Sequence, residues 1–250
     1  LPGMYHQFKE LADVDITTGP MEVGPTCHYV MGGIRVDAES AQASIPGLFA
    51  AGEAAAGLHG ANRLGGNSLS DLLVFGRRAG AAAAKHAKET GTPTLDTAQV
   101  EDAAREMLQP FERRDGEGPY EIHRELEDTL QALVGIYRNE DDLKRALGEI
   151  ERLRERAARI RVEGSRLFNP GWHLARDLKS MLIVAECVTR CALARKESRG
   201  AHSRLDFPEY DAEWGTKNNI IVRDGPGMTL RQVPVQQMPE DLEQLVADEK

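Results

Sequence analysis

A fixed positive charge sits among small residues in the run His59-Gly60-Ala61-Asn62-Arg63-Leu64-Gly65-Gly66. The arginine side chain is a planar, permanently charged fork that can grip a carboxylate with two parallel hydrogen bonds. The run continues through Asn67 and Ser68, both good helix caps, into Leu69-Ser70-Asp71-Leu72-Leu73-Val74-Phe75-Gly76. A helix start presents unpaired backbone N–H groups and partial positive charge, and both favour an anion. Gly60, Gly65 and Gly66 would let a bulky ligand approach the backbone. On these residues alone two readings stand: an anion site, or an ordinary Gly-rich turn before a capped helix.

Two more residues could do chemistry. His28 lies in an otherwise apolar run that ends at Met31-Gly32-Gly33, where absent side chains permit close approach. It reads either as a structural histidine or as a ligand contact. Glu53 ends the apolar run Leu48-Phe49-Ala50-Ala51-Gly52, expected to be a strand. Ligands of open α/β sheets bind at strand C-terminal ends, and a carboxylate there accepts hydrogen bonds from sugar-like hydroxyls. A solvated carboxylate at a strand end is the other reading.

The elements that must position these groups follow from the pattern. A short helix is expected over 1–15, extended chain over 21–30 broken at Gly24-Pro25, and a short strand at Ile34–Asp37. Leu69, Leu72, Leu73, Gly76, Ala79, Gly80 and Ala83 recur at helical spacing, so a helix runs from about Leu69 to Glu89 and stops at Gly91-Thr92-Pro93. A polar linker at 94–98 marks a boundary. Beyond it, helices are expected over 100–113, 120–134, 141–163 and 172–196, and short connections make four such helices an antiparallel bundle. The dense Glu/Arg face of the third reads as a solvated surface with i,i+4 pairs. The last is apolar on more than one side and belongs at the centre. From Gly215 a surface strand and a short helix are expected.

Composition removes several classes. The 250 residues carry a formal net charge of -9, which argues against a general nucleic-acid binder. Cys27, Cys187 and Cys191 have neither disulfide-framework nor metal-site spacing, and the pair four apart on an apolar helix is expected to be buried and inert. No apolar run reaches the length of a membrane span.

Three separated stretches resemble the flavoprotein subunits of succinate dehydrogenase and fumarate reductase. They are 59–76, Pro25-Thr26-Cys27-His28-Tyr29-Val30-Met31-Gly32-Gly33-Ile34, and Glu197-Ser198-Arg199-Gly200-Ala201-His202-Ser203-Arg204 with Asp206-Phe207-Pro208. The resemblance implies an α/β plus all-α chain: the end of a capping domain (1–24), the C-terminal part of a Rossmann-like FAD-binding domain (25–98), a helical domain (99–205) and a C-terminal extension (206–250). It implies FAD as cofactor and succinate and fumarate as substrates, with His28 and Arg63 on the substrate carboxylates. Glu53 would bind the ribityl part of FAD, and the Ser68 and Leu69 amides the flavin pyrimidine edge. The partners implied are membrane anchor subunits together with an iron–sulfur subunit, with quinone beyond them. The chain itself would not enter the membrane, and would sit peripherally on the cytoplasmic side of a bacterial membrane. It reads as the C-terminal portion of a longer protein, inactive alone. The pyrophosphate cradle, the flavin-linking histidine and the proton-transferring arginine are expected upstream, so no catalytic residue is assigned here.

Two alternatives compete. L-aspartate oxidase shares the His-Gly-Ala-Asn-Arg core, but Met31, Leu64-Gly65-Gly66, Asp71 and His202-Ser203-Arg204 match the succinate type. A non-catalytic helical interaction module would account for 99–200 and leave the Gly-rich core unexplained.

Overall fold

A computed structural model describes residues 2–24 and 27–248. The break expected at Gly24-Pro25 lies partly outside the described residues.

The helices follow from their caps and stripes. α1 (Pro2–Ala12) buries nothing. α2 (Asn67–Thr90) stops at Gly91, whose φ of 74° suits glycine. Its start departs from expectation. Gly66, at φ 85°, is the cap residue and Asn67 is already helical, so no side chain covers the first turn. α3 (Thr97–Glu112) is capped by Asp96, which accepts from the Ala98 amide. α4 (Pro119–Leu133) has proline in its first turn. α5 (Glu140–Ala157) is capped by Asn139, with Glu140, Asp141 and Asp142 at its positive end and Arg154 and Arg156 at its negative end. α6 (Pro170–Ala194) is capped by Asn169.

The core lies between α4, α5 and α6. Ile122 and Leu126 of α4 meet Ile150 and Leu153 of α5 and Leu178 and Leu182 of α6, all buried. α3 was expected as a fourth equal member. It buries no residue and lies at the rim, held by the Trp172 indole donating to the Met107 carbonyl at 2.7 Å. α6 is central, as its composition suggested: it packs against α3, α4, α5 and a hairpin strand.

α5 ends at Ala157, six residues before the expected end. Ile160 and Val162 are both buried, a spacing of two that belongs to extended chain. Their segment hydrogen-bonds sideways, Arg161 N to Glu117 O and Val162 N to Pro110 O, each at 2.9 Å. The charged face of α5 also does more than face water. Arg152 and Arg156, one turn apart, both reach Glu125 of α4, and Arg156 reaches Glu117 as well. These bonds hold the Glu125 carboxyl down at about 2.

Little regular sheet forms in residues 28–66. The strands expected at 34–37 and 48–53 are single bridges: Ile34 to Ala55, Val36 to Ala43 and Gln42 to Phe49. Glu53 lies in a 3-10 turn over Gly52–Ala54 rather than at a strand end. A two-residue parallel pair, β1 (Tyr137–Arg138) with β2 (Ser203–Arg204), joins the end of α4 to the loop after α6. The tail forms a hairpin, β3 (Lys217–Asp224) with β4 (Gly227–Pro234), then α7 (Glu240–Asp248). One strand was expected where two pair, because Asp224-Gly225-Pro226-Gly227 is a turn between two runs of similar length. No helix among the described residues is long and apolar enough to cross a membrane.

Candidate functional site

Close backbone packing assembles the site. Gly33 lies so near the 3-10 turn that a Cβ would come within 2.6 Å of the Ala54 carbonyl oxygen. Ile34 N donates to that same oxygen at 2.8 Å. The segment from His28 to Ile34 is thereby laid against Glu53, whose Oε1 accepts from the Val30 amide at 2.9 Å. Gly52, at φ 66°, admits the Leu72 side chain of α2 into space a Cβ would fill. One end of α2 is thus brought beside the turn that carries Glu53.

The loop 59–66 is propped from the helical side of the molecule. Ala201 N donates to Ala61 O at 3.0 Å. Gly200, at φ 57°, faces that same carbonyl, and a Cβ there would sit 2.5 Å from it. The stretch behind Gly200 is rigid and charged. Glu197 is fully buried and accepts from Arg195 and Arg199. Those bonds lower its carboxyl against the opposing effect of burial. Arg204 is buried too. It donates to the Ala192, Leu193 and Arg195 carbonyls at the end of α6 and grips Asp206 with two bonds, at 2.8 and 2.7 Å. Asp206 is held down at about 2 by that grip. Its Oδ2 also accepts from the Glu140 amide, which ties the end of α6 to the start of α5. A surface loop was one reading of this stretch; its two buried charges make it a bracket.

His202 completes the bracket. Its Nδ1 lies 3.0 Å from Arg138 Nη1 and its Nε2 lies 3.2 Å from the Arg195 carbonyl. Burial, with arginines 138, 204 and 195 around it, pulls the imidazole down to about 4. It is therefore neutral near pH 7, with Nδ1 accepting from the guanidinium and Nε2–H donating to the carbonyl.

Arg63 stands at the centre of the candidate site. Its Cζ lies 4.8 Å from the centroid of the Tyr29 ring, and its Nη1 donates to Leu64 O at 3.3 Å. Its Nε is buried with no hydrogen-bond partner. Among the described residues no carboxylate lies within ion-pair distance of it. A guanidinium with most of its donors free, next to an uncapped helix start, can bind a carboxylate. At that start Leu69 N makes only a long 3.3 Å bond to Gly66 O, and no side chain competes for the Ser68 amide.

Arg63, Glu53 and the start of α2 are thus neighbours of one segment. His28 is exposed, precedes Tyr29 in the chain, and makes no hydrogen bond among the described residues. The sequence assigned no role to three side chains that meet here: Tyr29 lies under Arg63, and His59 and Asp71 pack against Tyr29. All three stood inside the quoted motifs. The usable signal was Asp71, a carboxylate in the first turns of a helix whose nearby positions are leucine.

The residues also fit a flavin. Among the described residues Glu53 spends only one carboxylate oxygen, on Val30, and the first turn of α2 offers amides to an electron-rich ring edge.

Comparison with known proteins gives the chain's relatives. Residues 1–69 match the model of the FAD binding domain, and residues 123–245 that of the fumarate reductase flavoprotein C-term. The chain is 38% identical over 240 residues to the fumarate reductase flavoprotein subunit of Mycobacterium tuberculosis, covering 92% of this chain and 41% of that protein. It is 39% identical over 235 residues to the fumarate reductase flavoprotein subunit of Escherichia coli, covering 92% and 39%. The solved structure of Mycobacterium smegmatis Sdh1 in complex with UQ1 superposes with a TM-score of 0.88 at 52% identity, over 100% of this chain and 42% of that one. The chain therefore spans about 40% of the length of the curated relatives it matches.

Proposed function

This chain belongs to the family of succinate dehydrogenase and fumarate reductase flavoprotein subunits, and from that premise we propose that it forms the dicarboxylate clamp and one wall of the FAD site in an enzyme interconverting succinate and fumarate. The carrying observation is Arg63: among the described residues, a guanidinium with a buried, unpartnered Nε and no carboxylate within ion-pair distance, a few residues before the uncapped start of α2.

In this reading Arg63 takes one substrate carboxylate through its fork and His28 takes the other. A dianion held at both ends presents its central C–C bond in one orientation. Glu53 holds a ribityl hydroxyl of FAD. The Ser68 and Leu69 amides face the pyrimidine edge, where reduction puts negative charge. FAD, when bound, supplies the acceptor or donor of the hydride. No residue of this chain is assigned the accompanying proton. Electrons pass on to an iron–sulfur subunit, then to quinone, with membrane anchor subunits holding the assembly on the cytoplasmic face of a bacterial membrane. Support for partners of this kind is the likeness to Sdh1, whose structure was solved with UQ1. Residues 1–24 end a capping domain, 25–98 belong to a Rossmann-like FAD domain, 99–205 form an antiparallel helical domain, and 206–250 extend it.

The test is Arg63→Lys in the flavin-loaded enzyme. Lysine keeps the charge and loses the fork. Succinate turnover should fall by orders of magnitude while FAD stays bound. Near-normal turnover would sink the assignment.

A further inference from the structure

Asp71 is a buried carboxylate behind the Tyr29 ring that carries Arg63, only 5% exposed, and no role above uses it. Its neighbours on α2 are open to solvent: Leu69, Leu72 and Leu73 are 69%, 53% and 77% exposed. Burying a carboxylate is costly unless partners offset the lost water. Two groups face its Oδ2, the Tyr29 hydroxyl and His59 Nε2, both at 3.4 Å. Both separations exceed the usual range, about 2.5–3.0 Å for O–H···O and 2.7–3.2 Å for N–H···O. His59 Nε2 is buried and has no hydrogen bond among the described residues.

The Tyr29 ring links this group to the clamp. Its face carries the Arg63 guanidinium, and the His59 ring packs against it edge-on, with centroids 5.5 Å apart and planes at 79°. Burial and the Asp71 and Glu53 carboxylates push the Tyr29 phenol up, so its hydroxyl remains a donor to Asp71. Attraction to a ring face holds a guanidinium close but leaves it free to turn. A ring whose hydroxyl is tethered cannot tilt freely under it.

We propose that Asp71, acting through Tyr29 and His59, is a positioning residue that fixes the plane of the Arg63 fork for a dicarboxylate. The long contacts at Oδ2 are slack that closes when a substrate carboxylate draws the guanidinium into place. Asp71 touches no substrate in this scheme. The proposal rests on the reading of Arg63 as the substrate clamp.

The test uses the flavin-loaded enzyme and malonate, a dicarboxylate with no C–C bond that could become a double bond. Malonate affinity is measured by calorimetry and FAD content by absorbance. Tyr29→Phe keeps the ring and removes the tether, and Asp71→Asn removes the charge. Each should weaken malonate about tenfold or more with FAD content unchanged, and Asp71→Glu should recover part of the loss. On an Arg63→Lys background, which has no fork to orient, neither change should weaken malonate further. Unaltered malonate affinity in Tyr29→Phe would overturn the proposal. So would losses that are the same with and without the arginine fork. If Arg63→Lys alone leaves malonate binding intact, the clamp reading falls and the proposal with it.

Discussion

His202 and Glu53 show how far single residues can be pressed. His202 binds its proton at about 4 in the folded chain, well below an ordinary histidine. The unfolded chain therefore takes up a proton first as pH falls, and stability is lost between about pH 6.5 and pH 4. Denaturant midpoints measured from pH 7 to pH 4 should fall more steeply for the native chain than for His202→Gln. Parallel profiles would show that the imidazole is not held neutral. Glu53 is a different case, a carboxylate with one oxygen on the Val30 amide and, among the described residues, the other without a partner. Glu53→Gln keeps the acceptor for Val30 and should weaken FAD retention while leaving the pH profile of turnover in place. Loss of one limb of that profile with full FAD content would instead mark Glu53 as a proton carrier. Arg63, His28 and Glu53 were legible as candidates because their residue types stand out in Gly-rich or apolar runs. Tyr29 and His59 were not, because their importance lies in what they touch, and touching is set by tertiary packing.

Between elements, the Arg204–Asp206 pair matters most. It caps the carbonyl end of α6 and the amide end of α5 with one ion pair, whose guanidinium is buried and whose carboxylate reaches solvent. Arg204→Ala leaves three carbonyls at the end of α6 without their donor, and should cost about 1–3 kcal/mol in denaturant unfolding. A cost within about 0.5 kcal/mol, usual for surface changes, would contradict the bracket. Gly200 tests the link from that bracket to the site. A methyl there would meet the Ala61 carbonyl at 2.5 Å, so Gly200→Ala should displace the loop that carries Arg63 and weaken malonate binding while the helices stay folded. Unchanged malonate affinity would mean that the loop is set from elsewhere. The helices themselves were readable from caps and apolar stripes. The end of α5 was not, because two alternating apolar residues, Ile160 and Val162, were absorbed into a helical stripe. The start of α2 was misplaced because Gly66 supplies backbone conformation where a capping side chain was expected.

Across the whole molecule, order is uneven. The α4–α6 core is closed, whereas only Ala41, Ala50 and Ala79 are buried hydrophobic residues among the described part of the first hundred. Exchange protection follows burial, so amides of α4, α5 and α6 should exchange far more slowly than those of 28–66 in the isolated chain. Equal protection throughout would contradict this division. The family was legible in three separated motifs. The path of 28–66 was not, because its bridges join residues near in sequence through contacts that no periodicity announces. The central claim is that Arg63 and its surroundings recognise a C4 dicarboxylate beside FAD. Its most direct measurement is dye reduction by the FAD-containing enzyme, with succinate and L-aspartate offered separately. Succinate is expected to reduce the dye, L-aspartate is expected to leave it unchanged, and the succinate-driven rate is expected to collapse in Arg63→Lys. Reduction driven by L-aspartate with succinate inert, or a succinate rate indifferent to Arg63, would contradict it.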